Sequence, residues 1–154
     1  MKRTLFDPAQ LESLRSRFGK LTPQSPAAWG KMNAHQMITH CADALQYTLG
    51  ERPAKMRQTF LLRTLVKWLV VNNILPAPKG KVVTFPEIAQ DKAGTQPKEF
   101  EEDRKRLFQL LDRHVQMGPN GTYPDHPMFG RMTGKQWAKL TAAHFDHHLR
   151  QFSV

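Results

Sequence analysis

Apolar residues recur along the chain at helical spacing, and start or stop signals bracket nearly every run. Asp7-Pro8-Ala9-Gln10 offers an N-cap, a proline at the first helical position and a glutamine able to bond back. Leu11, Leu14 and Phe18 follow at intervals of three and four, and Gly19 marks a stop. Asn33, with Gln36 three residues on, caps a second helix that reaches about Leu49 and ends at Gly50. Residues 56–75 carry a third apolar run through Phe60, Leu61, Leu62, Leu65, Val66, Trp68 and Leu69. Arg57, Arg63 and Lys67 interrupt it, so the pattern predicts a buried bundle helix rather than a membrane span. Val70, Val71 and Ile74 blur its end. A fourth helix begins near Pro97 with an acidic first turn (Glu99, Glu101, Glu102, Asp103) that suits the helix dipole. Thr133-Gly134-Lys135-Gln136 is another capping box and opens a last helix running almost to the C-terminus.

Proline and glycine mark the connections at 21–32, 76–97 and 118–132. Val82-Val83-Thr84-Phe85 is too short for a paired strand and runs into Pro86. The predicted fold is an all-α bundle of four or five helices with long loops, residues 1–154 forming a single domain.

Composition narrows the setting. At 154 residues the chain is long enough to build a core without covalent staples. A single cysteine, Cys41, excludes a disulfide-stapled scaffold. The opening MKRTLFDPAQ has basic residues with no apolar run behind them, which argues against a signal peptide. No window approaches the roughly 20 apolar residues of a membrane span, so the expectation is a cytoplasmic protein without membrane association. Lys and Arg total 23 against 13 Asp and Glu, a formal +10. Residues 1–81 hold 13 basic and 4 acidic side chains, and residues 82–154 hold 10 and 9, so the first half carries the excess. A basic surface invites a nucleic-acid reading. That reading lacks its usual company: there is no helix-turn-helix signature, no RNA-binding sheet motif and no interleaving of aromatics with the basic residues.

The chemistry lies in the seven histidines. At about 100° per residue, His148 falls about 40° from His144, with Trp137, Leu140, Thr141 and Gln151 on the same stripe. Lys135, Lys139, Asp146 and Arg150 form the opposite, polar back. Two imidazoles four apart on a core-facing stripe can converge on one metal ion. On the second helix His40 shares a face with Met37, Ala44 and Tyr47, while His35 points about 140° away, toward solvent. His40 is therefore the best third ligand. The same spacing also fits buried neutral histidines satisfied by ordinary hydrogen-bond partners, and spacing alone does not choose. Other residues carry lesser roles. Asp125 and His126, in the loop before the last helix, are acid/base candidates, or else turn formers. His114 lies on the stripe of Leu107 and Leu111 near a helix end, which predicts partial exposure. Cys41 sits about 100° from His40 and reads as a small buried residue rather than a ligand. Trp29, Trp68 and Trp137 read as core.

Three segments together resemble the DinB-like superfamily, and specifically a bacterial branch of it. They are Trp29-Gly30-Lys31-Met32 leading into a His-bearing helix, His126-Pro127-Met128-Phe129-Gly130, and His144-Phe145-Asp146-His147-His148-Leu149-Arg150-Gln151-Phe152. The resemblance runs from about residue 5 to the end. It implies a four-helix bundle, often dimeric, with a divalent metal held by one histidine of the second helix and two of the last. On this chain those are His40, His144 and His148. Many relatives have arginine then glycine directly after the last histidine; here Leu149 and Arg150 follow, while Gln151 keeps its place.

The resemblance further implies thiol-dependent transferases or isomerases, or a related hydrolase, acting with bacillithiol- or mycothiol-type thiols. A divalent metal lowers the pKa of a bound thiol and presents a thiolate at neutral pH. Zinc or nickel suits three imidazoles best, and iron or copper also fits. Arg52, Arg57, Arg63 and Lys67 are candidates for holding the carboxylates of such a thiol or another anionic substrate, or else are solvated helix faces. The alternatives are a non-catalytic, stress-related metal-binding bundle and a basic nucleic-acid binder. If the chain forms a homodimer, its apolar third helix is the natural surface.

Overall fold

Each capped run becomes a helix in the computed structural model of the chain, which describes residues 3–72, 74 and 85–154. Helix α1 spans Pro8–Gly19, with the Asp7 carboxylate accepting from the amides of Ala9 (3.0 Å) and Gln10 (3.2 Å). Helix α2 spans Ala34–Thr48 behind the expected Asn33–Gln36 capping box, whose two bonds measure 2.8 and 3.0 Å. The chain is next helical from Phe60, where a π-turn over Leu62–Val66 runs into α3, Lys67–Val71. A 3-10 turn follows at Pro86–Ile88. Helix α4 spans Phe100–Met117, with the Glu99 carboxylate capping its first turn, and α5 spans Gly134–Gln151 behind the Thr133–Gln136 box. The described residues contain five helices and no strand, the all-α bundle that the pattern predicts. The sequence Val82-Val83-Thr84 and the prolines at 76 and 78 lie outside the described residues.

Helices α1, α2, α4 and α5 close one core. Phe18 of α1 meets Phe145 of α5 edge-on at 5.3 Å, and Met37, Ile38, Leu45, Leu107, Leu111 and Leu149 are fully buried around them. Each such side chain contributes roughly 1.5–3 kcal/mol by leaving water. Asp146 on the back of α5 draws in Arg3, Arg17 and Arg150, each at 2.9 Å, so part of the first half's basic charge is used internally.

The third helix departs from expectation. It is shorter than residues 56–75, and it is not buried: Phe60 is 85 % exposed, Trp68 57 %, Leu61 56 % and Leu65 54 %. Four longer helices already close the core. The short one reaches the bundle only along one edge, where Val66, Val70 and Val71 meet Trp137, Phe129 and Met132. Trp68 is accordingly outside the core, whereas Trp137 is in it. Two histidines also sit differently. His35 turns toward α4 rather than solvent, its Nε2 lying 2.8 Å from Asp103. His114 is fully buried rather than partly exposed, because residues 4–6 and the 118–123 loop fold over that end of α4, Phe6 and Tyr123 lying 6.3 and 5.6 Å from its ring.

Candidate metal centre

Helix periodicity puts His144 and His148 one turn apart on the inner face of α5, and α2 lays His40 opposite them. Their ring nitrogens converge: His144 Nε2 lies 3.0 Å from His40 Nε2 and 3.0 Å from His148 Nε2. Among the described residues this is the group of histidine, cysteine and carboxylate side chains close enough to hold one metal ion, with candidate ligand atoms all within 4.8 Å of one another. His40 and His148 are buried and His144 is intermediate in exposure.

The outer nitrogens decide what the inner ones can do. His40 Nδ1–H donates to the Ile88 carbonyl at 2.9 Å. His148 Nδ1–H donates to Gln151 Oε1 at 3.0 Å, an assignment fixed because Gln151 Nε2 donates to the Trp29 carbonyl at 2.7 Å. With each outer nitrogen carrying the proton, the inner Nε2 of both neutral rings presents a lone pair. Burial pushes all three imidazoles below the ordinary histidine range, His148 down to about 3, and repulsion from neighbouring histidines adds to the effect on His144 and His148. The set is therefore neutral at pH 7. Three neutral imidazole nitrogens are a donor set that suits a divalent ion; donors at about 2.0–2.1 Å in a tetrahedron stand about 3.3 Å apart, close to the spacing seen here.

Both anchors are themselves held. The Ile88 turn is clasped by Arg52, which donates to the carbonyls of Glu87 (2.9 Å) and Ala93 (2.6 Å) and to Asp43 Oδ1 (2.9 Å). Asp43, fully buried one turn past His40, also accepts from the Thr95 amide (2.7 Å) and hydroxyl (2.6 Å). At the other end, the Ala28 amide donates to the Gln151 carbonyl at 2.8 Å. Gly30 has φ +84 and stands where a Cβ would collide with Gln151 Nε2, so the Trp29-Gly30 pair needs its glycine.

The remaining candidates fall outside the cluster. His126 is buried with its ring stacked 4.5 Å from Phe129, and its Nδ1 accepts from the amides of Met128 and Phe129 at 3.2 Å, pinning the turn closed by the His126–Gly130 bridge. Burial, then the nearby Lys67, pushes its pKa down to about 3. Asp125 is exposed, and its carbonyl takes the Tyr47 hydroxyl at 2.6 Å. Cys41 is buried with its thiol against Met37 Sδ at 3.6 Å and its pKa pushed up, as expected of a residue that does not ligate. Of the basic candidates, Arg52 is committed to the clasp. Arg57 pairs with Glu87 at 3.2 Å, and the Lys67 ammonium donates to the Arg131 carbonyl. After His148, Leu149 lies in the core and Arg150 pairs with Asp146.

Sequence reasoning missed Ile88, Asp43 and Thr95. An aspartate inside the buried face of an amphipathic helix, Asp43 three residues after His40, was the signal available.

Among family models, one described as protein of unknown function (DUF1569) matches residues 5–154. No curated protein and no solved structure gives a significant match.

Proposed function

The chain belongs to the DUF1569 family, and we propose that it is a divalent-metal protein of DinB-like type that uses its trihistidine centre in thiol-dependent transfer. The observation that supports this reading is the convergence of three Nε2 atoms, those of His40 and His148 each 3.0 Å from that of His144, with the Nδ1 atoms of His40 and His148 both committed to acceptors. His40, His144 and His148 would hold zinc or nickel, or else iron or copper. When bound, the metal supplies Lewis acidity that holds a low-molecular-weight thiol as its thiolate at neutral pH. The protein's own residues orient the donors: the Ile88 carbonyl and Gln151 fix the ring tautomers, and the Asp43–Arg52 clasp keeps the Ile88 turn in place. Partial exposure of His144 leaves the approach for a substrate on that side. A site with three protein ligands keeps a coordination position open, as reactive metal sites do and closed structural sites do not.

The test begins with protein purified without added metal. Elemental analysis should find about one divalent ion per chain. A bacillithiol- or mycothiol-type thiol titrated into the metal-loaded protein should bind and then be consumed with an electrophile. Full metal loading without thiol binding or transfer would leave a non-catalytic metal-binding bundle. Absence of metal uptake would remove the reading altogether.

A further inference from the structure

His126 is only 8 % exposed, and its two ring nitrogens are in opposite situations. Nδ1 accepts from the amides of Met128 and Phe129, both at 3.2 Å, so it carries the lone pair and Nε2 carries the proton. Nε2–H has no hydrogen-bond partner among the described residues, yet it is not sealed from solvent as both nitrogens of His114 are. The ring is held in place. It stacks on Phe129 at 4.5 Å, and the His126 and Gly130 backbones exchange two hydrogen bonds of 2.9 Å. The turn therefore presents one fixed, unused donor at an opening.

Ring contacts place this donor at one end of the seam between α2 and α5. His126 lies 5.2 Å from Trp137, and Tyr47, whose hydroxyl donates to the neighbouring Asp125 carbonyl, packs on Trp137 at 6.0 Å. Tyr47 comes seven residues after His40 and Trp137 seven before His144. Trp137, with His126 beside it, therefore stands about 10 Å along the seam from the trihistidine cluster. Ala44 and Leu140, one turn from His40 and His144 in that direction, are both partly exposed and line the interval. At this distance the donor meets a remote part of a ligand rather than its reacting atoms. Burial, then the Lys67 charge, keeps the ring neutral at pH 7, so it donates without exchanging a proton. A fixed N–H with an ammonium nearby favours an oxygen that bears negative charge. We propose that His126 Nε2–H anchors the carboxylate of the thiol whose sulfur goes to the trihistidine centre. The substrate class is then a thiol with a carboxylate about 10 Å from its sulfur. The sulfur end rests on the thiol reading above; the anchor is tested apart from it.

The probes are 6-mercaptohexanoate, the matching alcohol 6-mercaptohexan-1-ol, and hexanoate. Zinc-loaded protein should bind the mercaptocarboxylate about tenfold or more tightly than the alcohol, as a hydrogen bond to a charged group gives. His126→Phe should erase that preference and leave zinc uptake unchanged. Equal affinity for the two thiols in the wild-type chain overturns the proposal, as does a preference that survives in His126→Phe. Should His126→Phe not fold, nitrogen–proton spectra of the histidine rings in the wild-type chain decide. The His126 proton should be found on Nε2, with Nδ1 unprotonated, and its resonance should shift when millimolar hexanoate is added to the chain as purified. A proton on Nδ1, or an Nε2–H that hexanoate leaves unmoved, overturns the anchor. If neither thiol binds the zinc-loaded protein, the thiol reading falls, and the hexanoate shift alone upholds or overturns a carboxylate site at His126.

Discussion

Two buried histidine environments occupy the same bundle and are built in opposite ways. In the seam between α2 and α5, three rings aim their Nε2 atoms at one point, and the outer nitrogens of His40 and His148 meet acceptors that are themselves anchored. At the C-terminal end of α4, His114 is equally deep, with Phe6 and Tyr123 for neighbours, yet neither of its ring nitrogens has a hydrogen-bond partner among the described residues. Burial is the largest cause lowering the pKa values in both places, joined in the cluster by repulsion between neighbouring rings. Convergence and anchored tautomers distinguish a donor set from a histidine that only fills space.

The largest effect expected from that difference is on metal uptake. Replacing His144 and His148 together by alanine removes two of three donors from one face, and stoichiometric binding should disappear, while His114→Ala should keep it. Elemental analysis of the two variants side by side checks this. Retained metal in the double variant, or loss in His114→Ala, would erase the distinction.

Next in size is the clasp that holds the Ile88 turn. Asp43→Ala leaves the Arg52 guanidinium beside a buried site with its carboxylate gone, and removing one partner of a buried pair costs about 3–5 kcal/mol. Urea unfolding should show that loss. Metal affinity should fall with it, because His40 Nδ1 loses a fixed acceptor. Asp43→Asn, which keeps an acceptor for Thr95 and Arg52, should recover part of both. If Asp43→Ala weakens the fold but leaves metal affinity untouched, the clasp is a fold device only.

These two outcomes probe what the sequence could and could not say. Helix boundaries were legible because Asp7, Asn33 and Thr133 are capping residues whose bonds close within four residues of chain. His40, His144 and His148 were legible because one periodicity governs a whole helix face. His35 and His114 were misplaced for the complementary reason: a wheel orients a residue on its own helix and is blind to what folds over it. Asp103 lies 68 residues from His35, and Phe6 comes from the far end of the chain. The third helix failed likewise, since its apolar composition is real but the core was already filled. Ile88 contributes only a backbone carbonyl, which leaves no mark in side-chain pattern.

His114 gives the next prediction. Its folded-state pKa is pushed down to about 4 from the ordinary 6.5, by burial. Between those values the unfolded chain binds the proton and the folded one does not, so stability falls as pH drops from about 6.5 and stops falling on this account near pH 4. The full swing is about 3 kcal/mol. His114→Leu removes the titrating ring and two unpartnered nitrogens. It should flatten the wild-type slope over that window, read as the difference between the two chains in denaturant midpoint against pH. A difference that does not change with pH would mean that the ring finds a partner for its proton.

The smallest effect concerns Gln151, and it separates two functions of one side chain. Gln151→Leu removes both the acceptor for His148 and the donor to the Trp29 carbonyl, and should weaken metal binding about 10- to 100-fold, as loss of a ligand's hydrogen-bond partner does. Gln151→Glu keeps an acceptor for His148 Nδ1–H but sets a carboxylate against the Trp29 carbonyl, so it should loosen the 21–32 loop. If metal affinity survives in Gln151→Glu and falls in Gln151→Leu, measured by competition with a chelator, the tautomer of His148 sets the affinity. If both fall alike, the loop does, and the seam between α2 and α5 would then owe its donor geometry to the packing of Trp29-Gly30 on the end of α5. That would move it nearer to His114, whose position is set by packing alone.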